Sequence, residues 1–228
     1  MSVPTTPGPT APRPTVPGPT AAPTPYATLL AFTRYVDRTG PAKAGFVGGL
    51  RKQRASRSGF NPHGQFVKAL KTDIAFHTGG THLARIADEV KPRWQPLYRA
   101  FVPGALAYLE SLGDPRGVDL VRTRDALAML GDLPVKINPH FGVRYADGHA
   151  EAVRLYFDEA PPSDETVLAT LHLMRQHMDH VLPHAAPVLV DIRRGATHHF
   201  PDSVRPEQVA QWLAGEAAAF RAIWSTAA

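Results

Sequence analysis

Eight basic side chains, Arg38, Lys43, Arg51, Lys52, Arg54, Arg57, Lys68 and Lys71, fall between residues 38 and 72 with no Asp or Glu among them. The chain has 25 Lys and Arg in all, so the remainder carries 17 basic against 20 acidic residues, and the net charge of +5 is a local excess. Cations grouped in this way suit phosphates, because each phosphate neutralised releases condensed counterions whatever the base sequence. Phe46 and Phe60 add rings on which bases can stack, and the neighbouring glycines let the backbone approach a strand. The expected site is a phosphate grip made by Lys43, Arg51, Lys52, Arg54, Arg57, Lys68 and Lys71. The same charges also fit a solvated loop paired with the acidic remainder, or a contact with an acidic protein or an anionic membrane surface.

Acids give a second constellation. Asp191 ends the apolar run VLVD and Asp158–Glu159 follow VRLYF, a placement in which sheet-end carboxylates hold magnesium in nucleases. No lysine stands two residues beyond the second acid, so this set is incomplete. His177, His180 and His184 fall within about 60° of one another on an ideal helix. Pro183 ends that helix before His184, however, and a tetrahedral site needs converging ligands, so these read as surface histidines. His198–His199 joins them only through folding. No metal or other cofactor is expected. The chain lacks GxSxG, Walker A, HExxH and dinucleotide-binding patterns. Its lack of cysteine excludes thiol catalysis, disulfides and Cys-based metal centres.

The elements that position these residues follow from periodicity. Residues 1–25 contain nine prolines among Thr, Ala and Gly, which predicts a disordered tail with polyproline II character. PxxP spacing at Pro9–Pro12 and Pro14–Pro17 makes a protein partner for this tail conceivable, although so Pro-dense a segment produces that spacing by chance. From Tyr26, Leu29, Phe32, Tyr35 and Val36 predict a short amphipathic helix ended by Gly40–Pro41. Residues 40–60, with five glycines and no period, predict a mobile basic loop. Asn61 and Pro62 then start a helix with Phe66, Leu70 and Ile74 inward and Lys68 and Lys71 in water. Helix continues from Leu83 to Val90 and from Trp94, with a break or kink at Pro103. Residues 118–130 fit either a helix or two short strands.

From Leu133 the period becomes two, and Pro139 forces a kink or bulge. FGVRYADGHAEAVRLYF, residues 141–157, predicts a hairpin. A two-residue turn would set its apolar sets on opposite faces. A three-residue Ala146–Asp147–Gly148 loop, with Gly148 left-handed, brings Phe141 opposite Val153 and unites them. Several buried side chains at about 1.5–3 kcal/mol each outweigh one charge pair of about 0.2–1 kcal/mol, so the second register is expected, packed under a helix at 164–182. That helix is capped by Ser163, with Val167, Leu168, Leu171, Met174, Met178 and Leu182 inward. A strand at 188–192 and a closing helix from Pro206 to Trp224 complete the chain.

The pieces SGFNPHGQFVKALKTDI, FGVRYADG, VRLYF, VLVDIRRG and GEAAAFRAIW together resemble the pattern of an uncharacterised actinobacterial protein family of unknown function. The resemblance covers most of residues 55–225 and implies no activity, so it assigns no site residues. The expected fold is α+β behind the tail: a single domain over 26–228, with a helical lobe at 26–116 and an antiparallel sheet with packed helices at 117–228. No run of about 18 apolar residues exists to span a membrane. The start lacks the charge and apolar block of a secretory signal, so a cytoplasmic location is expected. The charge segregation points to a non-enzymatic, nucleic-acid-associated accessory protein. A divergent metal-dependent nuclease, or a protein-interaction module, is the alternative.

Overall fold

The computed structural model describes residues 25–56 and 61–226. The expected tail at 1–25 and its PxxP partner site, like Arg57 and Phe60, lie outside the described residues except for Pro25. The fold is α+β, with two sheets and helices on both faces of the larger one. Among the described residues no helix is long and apolar enough to cross a membrane.

The first helix, α1 (Leu29–Val36), is capped by Thr28, whose hydroxyl accepts from Ala31 N–H at 3.2 Å. Strand β1 (Ala27–Thr28) precedes it and pairs in parallel with β4 (Leu133–Ile137), whose other neighbour is β3 (Ala126–Leu130). The ambiguous stretch 118–130 thus resolves into strands, β2 (Val118–Val121) and β3, in different sheets. The five-stranded sheet runs β2, β5 (Phe141–Tyr145), β6 (Ala150–Tyr156), β7 (Ala186–Asp191), β8 (Ala196–His198). It is mixed rather than antiparallel, because β6 and β7 run in parallel. The crossover between them carries α6 (Asp164–Arg175) and the short α7 (Met178–Val181). Parallel neighbours need such a crossover, a constraint that local periodicity does not reveal.

The hairpin has the expected register, with Phe141 opposite Val153 and Gly148 left-handed at φ 88°. Its apolar face, however, packs on α3 (Gly64–Phe76), α4 (Thr81–Glu89) and α5 (Gln95–Ser111), not on the helix that follows. The other face, Ala150 and Ala152, meets α6, whose Ser163 cap accepts from Thr166 N–H at 3.1 Å. The expected single helix at 164–182 divides at Gln176–His177 into α6 and α7.

The expected mobile loop is instead α2 (Pro41–Ala55). Gly45, Gly48 and Gly49 argue against helix locally, but Pro41 presets its first turn and Val47, with Phe46 and Leu50, joins the core beside α8 (Pro206–Thr226). Pro103 likewise sits within an unbroken α5, held across it by the buried Tyr98, Phe101, Ala105 and Tyr108. Immediately after the proline, Gly104 meets the β7–β8 connection so closely that a Cβ would lie 2.3 Å from Ile192 O.

Gly104→Ala should therefore cost about 2–3 kcal/mol in urea unfolding. Gly49→Ala, on an open face of α2 with nothing within 4 Å of where a Cβ would sit, should instead gain about 0.5–1 kcal/mol. Equal effects at the two positions would contradict this packing.

Candidate functional site

A cleft of 940 Å³ lies where five pieces of chain meet. Its walls are α1 with Arg34, α2 with Phe46, Leu50 and Gln53, and the entry to α3 with Asn61 and His63. Its floor is the link Asn138–Pro139–His140 and the end of β6 from Arg154 to Asp158. The link exists because β4 and β5 belong to different sheets, so the chain bends at Pro139 and turns Asn138 and His140 toward the cleft.

Arg154 dominates the floor. It is 7% exposed, and its Nη1 donates to Asn138 O at 2.7 Å. Among the described residues no carboxylate pairs with it; burial, and then the nearby Arg34, push its pKa down to about 10, so it stays cationic at neutral pH. A buried guanidinium without an acid is costly and marks a site where an anion from outside is welcome. Arg34 is answered differently: its Nε donates to Asp158 Oδ2 at 3.1 Å and its Nη2 to Oδ1, a two-pronged pair.

Two neutral imidazoles flank Arg154. Leu155 N–H donates to His140 Nδ1 at 2.9 Å, which leaves the ring proton on Nε2. Burial, then the charges of Arg154, His63 and Lys71, hold His140 well below the usual histidine range. His63 stacks on Phe157 with ring centroids 4.2 Å apart, and burial followed by the charge of Arg34 lowers it to about 4 despite Asp158. Its Nδ1, like Asn138 Oδ1, is buried without a hydrogen-bond partner among the described residues. The charges that bear on the two rings are Arg34, Arg154, Arg193 and Lys71 against Asp158 alone. The cleft is cationic, with neutral donors and acceptors set around its one unpaired guanidinium.

The basic residues singled out by sequence do not form one face. Lys43 binds Glu216 of α8 at 2.7 Å, and Arg51 Nη1 donates to the Trp224 carbonyl at 3.2 Å. Arg54 lies over the rings of Tyr26 and Trp224 at 5.0 and 4.9 Å, and burial lowers its pKa. Lys52 is exposed on α2, and Lys68 and Lys71 border a shallow groove along α3 with Val67, Thr72 and Phe76. Of the set, Lys71 alone also acts on the cleft, through His140. Of the acids considered for magnesium, Asp158 is engaged by Arg34 and the buried Asp191 by Arg194 at 2.7 Å and Arg193 N–H at 3.1 Å, while Glu159 accepts from Arg194 only through its backbone carbonyl. Among the described residues no three His, Asp or Glu side chains are placed to hold a metal ion, His177, His180 and His184 included.

Sequence reasoning missed Arg154, Asn138, His140 and His63. The signal was present in AEAVRLYF, where Arg154 continues the alternating set of Ala150 and Ala152. An arginine on that face of a central strand must be buried. Comparison with known proteins adds no relative, since neither a protein-family model nor a curated protein matches the chain.

Because His63 and His140 are neutral in the fold and take up protons more readily when unfolded, stability should fall as pH drops below 6.5 toward about 4. His63→Phe keeps the stack on Phe157 and removes one titration, so its thermal midpoint should vary less with pH over that window. An unchanged profile would contradict the neutral, enclosed His63.

Proposed function

We propose that the protein is a cytoplasmic, non-enzymatic, nucleic-acid-associated accessory protein that grips phosphate, with the cleft rather than a loop as the anchor. The observation that carries this reading is Arg154, a buried guanidinium without a carboxylate on a floor whose surrounding charges are mainly cationic. Arginine presents a planar fork that matches phosphate oxygens, and a water-poor site strengthens each contact. Lys52, Lys68 and Lys71, exposed or half-buried along α2 and α3, supply the weaker contacts expected of backbone binding. Lys43, Arg51 and Arg54 serve instead to hold α2 against α8 and the start of the chain. The nuclease reading gains no support from acids already engaged by arginines.

Labelled single-stranded and double-stranded oligonucleotides, titrated over a salt series, test this reading. Arg154→Met should weaken binding by at least tenfold and flatten the single-strand salt slope by about 0.7. Its unfolding free energy should stay within about 1 kcal/mol of the parent, because the lost hydrogen bond is offset by removal of a buried charge. Lys43→Met should lower stability by about 1 kcal/mol and leave binding unchanged. No binding at low salt, or full binding by Arg154→Met, would refute the proposal.

A further inference from the structure

The shape of the cleft and the chemistry of its floor narrow the ligand. A guanidinium 7% exposed within a cleft is harder to reach for a phosphodiester inside a strand, whose chain must leave in two directions. A terminal phosphate has one such exit. At 940 Å³ the cleft falls within the range of about 300–1,000 Å³ typical of small-molecule sites, so it suits a single nucleotide rather than a threaded strand.

The donors and acceptors say more. An anion answers Arg154 and the Nε2 proton of His140, but it leaves Asn138 Oδ1 needing a donor. A buried acceptor left unpaired is unfavourable, and a sugar hydroxyl or base amine is the kind of group that would satisfy it. Phe46 and Leu50 on α2 supply an apolar wall opposite the floor, suited to the flat face of a base. We infer that the cleft binds a nucleotide phosphate monoester, its phosphate on Arg154 and His140 and its nucleoside toward Asn138 and the α2 wall. This inference rests on the reading of the cleft as a phosphate site. The monoester has two possible sources, the phosphorylated end of a strand and a free mononucleotide.

The test uses the full chain with four probes: inorganic phosphate, adenosine 5′-monophosphate, and one single-stranded dodecamer with and without terminal phosphates. Affinities are read by calorimetry, and the imidazole resonances of His140 by NMR. The expected result is at least tenfold tighter binding of the end-phosphorylated dodecamer, competition by adenosine 5′-monophosphate, and shifts at His140. That preference should vanish in Arg154→Met and survive neutralisation of Lys52, Lys68 and Lys71 to Gln. Asn138→Ala, which keeps the cation, should weaken adenosine 5′-monophosphate by about fivefold or more and leave inorganic phosphate unaffected. Binding of the monophosphate without either dodecamer supports the monoester site and assigns it to free nucleotide, while overturning nucleic-acid association. Equal, Arg154-dependent binding of both dodecamers overturns the monoester inference and leaves backbone binding standing. Silence of His140 toward all four probes overturns both.

Discussion

A guanidinium on the central strand of a sheet covered on both faces has to be accommodated by everything around it. Arg154 follows Ala150 and Ala152 on the α6-facing side of β6, where the two alanines leave room for close packing and the arginine ends the row. It donates to the carbonyl of Asn138, in the link where the chain leaves the three-stranded sheet for the five-stranded one. That link is therefore tied to β6 from both sides, by this bond and by the bonds from His140 N–H to Val153 O and from Leu155 N–H to His140 Nδ1. The cleft is what remains when α1, α2 and the start of α3 pack around such a floor without closing it.

The surrounding helices belong to two cores. Phe32 and Tyr35 of α1 pack with Phe220 and Trp224 of α8, while Phe66, Tyr98 and Phe101 of α3 and α5 cover the hairpin. The cleft is lined from both, and on the side of the second core Phe157 is stacked on His63 and edge-on to Phe101. Charged partners are assigned in the same economical way. Asp73, buried at the end of α3, accepts from Thr78 and His82 side chains and from the N–H groups of His82 and Leu83, capping α4 where Gly80 offers no side chain. Despite the opposing effect of burial, these bonds hold its carboxyl below the usual range. Among the described residues Arg154 is a buried cation with no carboxylate partner.

Much of this fold was legible where one physical signal was strong and local. The hairpin register followed from which apolar set had to share a face, and the Ser163 cap and the left-handed Gly148 followed from capping and turn chemistry. The errors came where distant packing overrode local preference. Glycines suggested a loop at 40–60, but Val47, Lys43 and Arg51 find partners on α8, more than 150 residues away, and the segment is helical. The hairpin was expected under α6 because that helix comes next, whereas the parallel crossover puts α6 on the opposite face. For the site, counting charges drew attention to exposed lysines. A better signal was a single charge at a position whose alternation demanded burial, and recognising it required knowing that β6 is central.

The most direct measurement is the side-chain NMR signal of the Arg154 guanidinium during titration with inorganic phosphate at low salt. The account predicts that the Arg154 Nε–H resonance shifts and saturates, with its solvent exchange slowed, while those of Arg51 and Arg54 stay in place. An Arg154 signal indifferent to phosphate, with shifts confined to the surface lysines, would contradict it.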